Sequence, residues 1–172
     1  MKAKLIFDGK EFEVELTEEE AKKLEQKTKR TGYERAQNVY DNFSAVGFDG
    51  IAKSNYFDDA GIGNFGDRCY ESANYYSSYE VAENNARADK LMRQLRRFAV
   101  EHREKKLDWF LSNDYKYNID YNHLEKKLGL DSWKTYEAVG VVYFDSEETA
   151  QLAIDTFRDE LIWYFTEYKD SL

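Results

Sequence analysis

Two short alternating runs open the chain. Ala3 to Phe7 and Phe12 to Leu16 place apolar residues at every second position, separated by Asp8, Gly9 and Lys10. A period of two predicts half-buried strands, and Asp-Gly supplies the turn, so the pattern is that of a β-hairpin. Thr17 followed by Glu20 has the spacing of a capping box, in which hydroxyl and carboxylate satisfy the free amides of a helix start. That predicts a helix from Glu18 to Arg30, ending before Gly32. Only Ala21 and Leu24 give it an apolar stripe, too thin to stand alone. Hairpin and helix therefore read as an appendage packed on the remainder.

From Tyr33 to Glu80 the periodicity breaks down. Five of the nine glycines fall between Gly47 and Gly66, and eight acids face three bases, a local net of −5. The aromatics among them, such as Phe43, Tyr56, Phe57, Tyr70 and Tyr75, predict short strands and an ordered loop rather than a solvated tail. A long helix then begins at Ser77 or Ser78. Val81, Ala88, Leu91, Met92, Leu95, Phe98 and Ala99 share one face of it, while Arg87, Lys90, Arg93, Arg96 and Arg97 lie around the others. Three strand candidates follow at Lys116 to Tyr121, Trp133 to Tyr136 and Ala138 to Phe144. The last helix is capped by Asp145 and Glu148. Its stripe is Ala150, Ile154, Phe157, Leu161, Tyr164, Phe165 and Tyr168, and Glu147, Asp155, Asp159 and Glu160 form its outer face.

One pattern occurs twice. The stretch from Asn74 to Ala82 matches that from Val142 to Ala150 at a constant offset of 68, pairing Tyr75 with Tyr143, Ser78 with Ser146, Glu80 with Glu148 and Ala82 with Ala150. Each reads as an aromatic strand end, a polar cap and a small residue where helix meets sheet. The predicted fold is α+β: a short antiparallel sheet covered by two helices, with the N-terminal β-hairpin plus helix as an appendage. Residues 1–32 form that appendage, 33–76 an acidic, aromatic, Gly-rich segment and 77–172 the α+β core, the last two joined in one compact unit.

Composition narrows the function classes. The 172 residues include 34 Asp and Glu against 25 Lys and Arg, a formal charge of −9, with 42% hydrophobic and 16% aromatic residues. That content demands a packed core rather than a disordered acidic tail. No apolar run approaches the ~18 to 20 residues that cross a bilayer, and the first residues lack a signal peptide's apolar region, so a cytoplasmic, membrane-free protein is expected. The acidic balance disfavours direct binding of duplex DNA, which is driven by counterion release onto Lys and Arg.

Candidate chemistry is sparse. Gly61-Ile-Gly-Asn-Phe-Gly66 has the letters of a dinucleotide fingerprint, but it follows a polar stretch and Asp67-Arg-Cys-Tyr does not read as a helix start; a flexible Gly-rich loop is the expectation and no cofactor is assigned. Asp58, Asp59 and Asp67 are hard oxygen donors without the EF-hand spacing, so a solvated acidic loop is expected and no metal. His102 and His123 have no paired ligand spacing. Cys69, the single cysteine, permits no intrachain disulfide, and next to Arg68 it reads as a half-buried thiol at a strand start rather than a nucleophile. No catalytic residue is assigned. The basic helix face and nearby Tyr and Phe suit nucleic acid less well than the acidic, aromatic segment suits a basic protein partner.

The strings MKAKLIFDGKEFEVELTEEEAKKLE, CYESANYYSSYEVAE, LRRFAVEHREKKLDW and VVYFDSEETAQLAIDTFRDELIWYF resemble small accessory proteins of Gram-positive phages and mobile elements. Some proteins that look like these are anti-CRISPR inhibitors of type II RNA-guided nucleases. The resemblance implies a mobile-element protein, acting in the cytoplasm of an infected bacterial host, that binds and inhibits a type II CRISPR effector, alone or with its guide RNA. Charge agrees, since such an effector holds guide and target in positive channels. Tyr56, Phe57, Asp58, Asp59, Asp67 and Glu71 are the partner-binding candidates. The alternatives are an enzyme acting on nucleic acid, such as a guide-RNA nuclease, and a phage accessory protein without a defence role.

Overall fold

The computed structural model describes residues 2–7, 10–15, 17–19, 33, 42–56, 65–110 and 113–168. Strands β1 (Lys2–Phe7) and β2 (Lys10–Glu15) pair antiparallel, with Phe7 opposite Lys10, so the expected hairpin forms with a two-residue connection. Glu18 and Glu19 are helical; the rest of the expected helix to Arg30, Glu20 of the capping box included, lies outside the described residues.

The chain divides into two compact units, one formed by residues 1–45 and 54–79, the other by residues 46–53 and 80–172. The first contains a hairpin base, from β3 (Asn42–Val46) and β4 (Ala52–Tyr56), and helix α1 (Phe65–Glu71). Phe43, Ala45, Cys69 and Tyr75 form its buried cluster, with the Phe43 and Tyr75 rings parallel at 4.5 Å between centroids. Helix α1 corrects the expectation that the residues after Gly66 do not open a helix and that Cys69 starts a strand. Two turns are too few to display a 3.6-residue period, and of its two buried positions, Gly66 and Cys69, only Cys69 has a side chain to set against Phe43 and Tyr75.

The second unit is the α+β core. Helix α2 (Tyr79–Glu101) and helix α3 (Glu147–Trp163) cover an antiparallel sheet of β5 (Lys116–Asn122) and β6 (Lys127–Trp133), seven residue pairs long. Leu91, Leu95, Phe98 and Ala99 from α2 meet Phe144, Ala150, Ala153, Ile154 and Leu161, and Ile119, Leu128 and Leu130 pack on them from the sheet. Five of the seven stripe residues expected on α2 are buried, and Val81 and Met92 are half-buried; Ala82 and Ala86 are buried as well. The 17 residues of α3 bend at Phe157, whose φ of −115° and ψ of 21° leave the helical region while its ring meets Phe98 edge-on. A turn of π-helix, Tyr164–Tyr168, extends it. No helix among the described residues is long and apolar enough to cross a membrane.

Strand β6 replaces two expectations. Of Trp133 to Tyr136 only Trp133 is in a strand, and the apolar run Ala138 to Phe144 is not one: it turns at Val139 and Gly140, with Gly140 at φ +80°, and only Phe144 bridges to Tyr117. A short apolar run has no intrinsic strand preference, and Val139 stands fully in solvent. The β5–β6 turn is held by Asn122, whose Oδ1 accepts from the amides of Leu124 and Glu125 at 3.0 and 3.1 Å.

The cap of α3 is also corrected. Ser146 is its N-cap, its hydroxyl accepting from Thr149 N at 3.1 Å, while Asp145 is buried at 5% exposure and serves a different purpose described below. Serine competes as well as aspartate for an N-cap, so adjacent Asp and Ser leave the choice to packing.

The offset of 68 has a structural counterpart. Tyr76 exchanges two backbone hydrogen bonds with Ser44, at 2.7 and 2.9 Å, and Phe144, its partner in the repeat, exchanges two with Tyr117, at 3.0 and 2.8 Å. Tyr75 and Tyr143 are buried next to these bridges, and Ala82 and Ala150 are fully buried at the helix starts. In each case a hairpin strand is bridged by the residue that leads into a long helix.

Candidate functional site

Of the six expected partner-binding residues, Phe57, Asp58 and Asp59 lie outside the described residues, and Tyr56 ends β4. Asp67 and Glu71 are both on α1, four residues apart and therefore on one face. Glu71 is exposed and Asp67 half-buried, and the exposed rings of Phe65 and Tyr70 share the helix with them. The two-turn helix thus turns Glu71 away from the core, while Phe65, 6.1 Å from Phe43, and Tyr70, edge-on to Tyr75 at 5.7 Å, flank its buried side.

Cys69 points the other way. Burial raises its thiol pKa, with the Arg68 charge opposing more weakly, so the thiol form is favoured and nucleophilic chemistry disfavoured. Alkylation by iodoacetamide at pH 8 is expected to run about a hundredfold slower in the folded protein than in 6 M guanidinium, read by mass spectrometry. Equal rates would place the thiol in solvent.

The histidines do not meet. His102 follows α2, its Nδ1 3.0 Å from Phe98 O and its ring stacked on Phe98 at 3.9 Å, whereas His123 lies in the β5–β6 turn, edge-on to Tyr121. Among the described residues no group of three His, Cys, Asp or Glu is placed to hold a metal ion. In the glycine motif, Gly61 and Gly63 lie outside the described residues and Gly66 is buried in α1; the preceding strand belongs to a hairpin rather than a parallel βαβ unit.

The basic face of α2 is divided by its partners. Arg87 donates twice to the Glu160 carboxylate, at 2.8 and 3.1 Å, and its guanidinium lies 3.8 Å from the centroid of Trp163, tying α2 to α3. Lys90, Arg93, Arg96 and Arg103 are exposed and make no ion pair among the described residues. Two of them, Arg96 and Arg103, line a cavity of about 250 Å³ together with Trp109, Glu137, Tyr143 and Asp145. A shallower cavity of about 460 Å³, lined by Trp133, Tyr136, Glu137, Ala138 and Tyr143, adjoins it through Glu137 and Tyr143.

Asp145 shapes this region. Its Oδ2 accepts from Glu104 N at 2.7 Å and Lys105 N at 3.0 Å, which fixes the segment carrying Arg103 beside the start of α3. Its Oδ1 is buried and has no hydrogen-bond partner among the described residues. Lys105 itself pairs with Asp114 at 2.8 Å, and that hydrogen bond raises its pKa. Below Trp109, whose ring meets Tyr143 edge-on at 4.9 Å, Lys116 is 1% exposed: its Nζ lies 5.1 Å from the Trp109 centroid and donates to the carbonyls of Asp114 and Lys134, each at 3.0 Å. Sequence reasoning treated the α2 cations as one face and did not connect them to Trp109 or Tyr143. The signal present was charge: residues 87–106 hold eight bases and three acids, +5 within a chain of −9. Comparison of the chain with protein-family models, with curated proteins and with solved structures gives no match.

Proposed function

We propose that this chain is a binding protein of a phage or mobile element that inhibits a type II RNA-guided nuclease by occupying a basic surface of it. The observation that carries the reading is helix α1, which exposes the acid Glu71 and half-exposes Asp67, with the exposed Phe65 and Tyr70 on its flanks. Aromatic rings supply contact area, acids supply complementarity to a Lys- and Arg-lined channel, and the overall −9 speeds the encounter. The resemblance of the quoted strings to mobile-element accessory proteins supports the choice of partner, alone or with its guide RNA. The site of action is then the cytoplasm of the infected host.

The test is target cleavage by a panel of type II nucleases, titrated with the protein, with guide integrity followed on the same gel. Inhibition near one-to-one with intact guide is the expected result. Reversing both acids, Asp67→Lys with Glu71→Lys, is expected to weaken inhibition about a hundredfold while circular dichroism stays unchanged. Unaltered inhibition by that variant removes α1 from the interface. A shortened guide, abolished by EDTA, would replace binding by nuclease action, and no effect on any nuclease would sink the proposal.

A further inference from the structure

We propose that the two adjoining cavities of the second unit form a binding site for a short single-stranded segment of nucleic acid. This site is independent of α1 and of the nuclease reading. Its first support is electrostatic. Arg96 and Arg103 line the deeper cavity, are exposed, and form no ion pair or hydrogen bond among the described residues. They sit in a strongly basic stretch of an acidic chain, residues 87–106, with eight bases and three acids. Two guanidinium groups held at one cavity suit the oxygens of a phosphodiester, which they can grip in planar, two-toothed fashion.

The second support is the aromatic lining. Trp109 and Tyr143 stand at the deeper cavity, and Trp133 and Tyr136 at the shallower one, with Tyr136 72% exposed and meeting Trp133 edge-on at 5.7 Å. Rings of this kind beside a cationic track are the arrangement on which unpaired bases stack, whatever their sequence. A volume near 250 Å³ is below the usual range for drug-sized ligands and matches one base with its sugar, and the adjoining cavity takes the next. Bases in a duplex offer no free faces, so double strands are excluded from these cavities.

The third support is the acceptor set. Glu137 is exposed and common to both cavities. Its carboxylate accepts hydrogen bonds, and a base with an exocyclic amino group is the ligand edge that donates one. Cytosine or adenine is therefore favoured over uracil or thymine. Asp145 acts as a positioning residue, because its Oδ2 holds the backbone just after Arg103.

The experiment is fluorescence anisotropy of labelled hexanucleotides, oligo-dC and oligo-C against oligo-dT and a duplex of mixed sequence, with the full chain at low salt. Binding of the cytosine single strands, weaker binding of oligo-dT and none of the duplex is expected. Arg96→Ala with Arg103→Ala is expected to weaken binding at least tenfold and to flatten the log affinity against log salt slope by about 1.4, at about 0.7 for each phosphate no longer neutralised. Tyr136→Ala is expected to weaken binding about tenfold with the salt slope unchanged, since it removes stacking and no charge. All three positions are exposed, so folding survives their truncation. No anisotropy change with any single strand, equal binding of duplex, or wild-type affinity in both variants would overturn the proposal.

Discussion

Phe144→Ala is expected to destabilise the protein by about 3–5 kcal/mol, read from urea unfolding at unchanged m. Phe144 is 1% exposed and stands where α2, α3 and the β5–β6 sheet converge, in contact with the cluster of Leu91, Leu95, Ile154 and Leu161. Alanine keeps both backbone hydrogen bonds to Tyr117, so the loss isolates the ring: its transfer from water plus the void left behind. A cavity of about 130 Å³, lined by Leu91, Ile119, Phe144, Leu161 and Tyr164 among others, already adjoins the site, and the deleted ring would enlarge it. Phe110→Ala is the control. That ring is almost wholly in solvent, so its loss is expected to stay within about 0.5 kcal/mol. Equal effects from the two variants would mean that the burial of Phe144 is wrong.

Lys116→Ala is expected to cost about 2–4 kcal/mol. A buried lysine with no ion pair among the described residues pays desolvation and recovers it through the two carbonyls it bridges and the Trp109 ring. Those carbonyls belong to Asp114, just before β5, and Lys134, just after β6, so the ammonium clamps the open end of the hairpin. Lys116→Met keeps the packing of the stem and removes only the charge and its donors. It is expected to recover about half of the loss in the same unfolding experiment. Full recovery would show that the stem alone stabilises the fold, and no recovery would assign the whole effect to the ammonium. Because Trp109 rests on this lysine, either variant is also expected to change tryptophan emission.

The long elements were legible because their periodicity outlasts local noise. Twenty-three residues of α2 show several turns of one apolar stripe, and the Ala150-to-Leu161 stripe identifies α3 in the same way. Hairpin β1–β2 was legible from alternation around Asp-Gly. What escaped were elements whose signals are short or divided. Helix α1 spans seven residues with a buried glycine, and β6 alternates only Leu128 and Leu130 around a glycine, where a Cβ at Gly129 would come within 2.5 Å of Asp120 Oδ1. The run from Ala138 to Phe144 misled because apolar character does not fix conformation when part of the run stays in solvent. The α1 acids were readable from charge alone. The Arg96 and Arg103 cavity was not, since it joins the end of one helix to Trp109 and to Glu137 across turns that no local pattern connects.

The duplicated corner has a kinetic meaning. Ser44 and Tyr76 are 32 residues apart, and Tyr117 and Phe144 are 27 apart, so each bridge joins two residues of one unit. Closure entropy grows only with the logarithm of loop length, and the two loops differ by about 0.2 kcal/mol on that scale. Neither unit must wait for a distant strand before its sheet-to-helix corner can form. The chain contains no proline, so no prolyl isomerisation delays either closure. Each corner is thus a local seed of comparable entropic cost, and refolding is expected to proceed without a phase of tens of seconds.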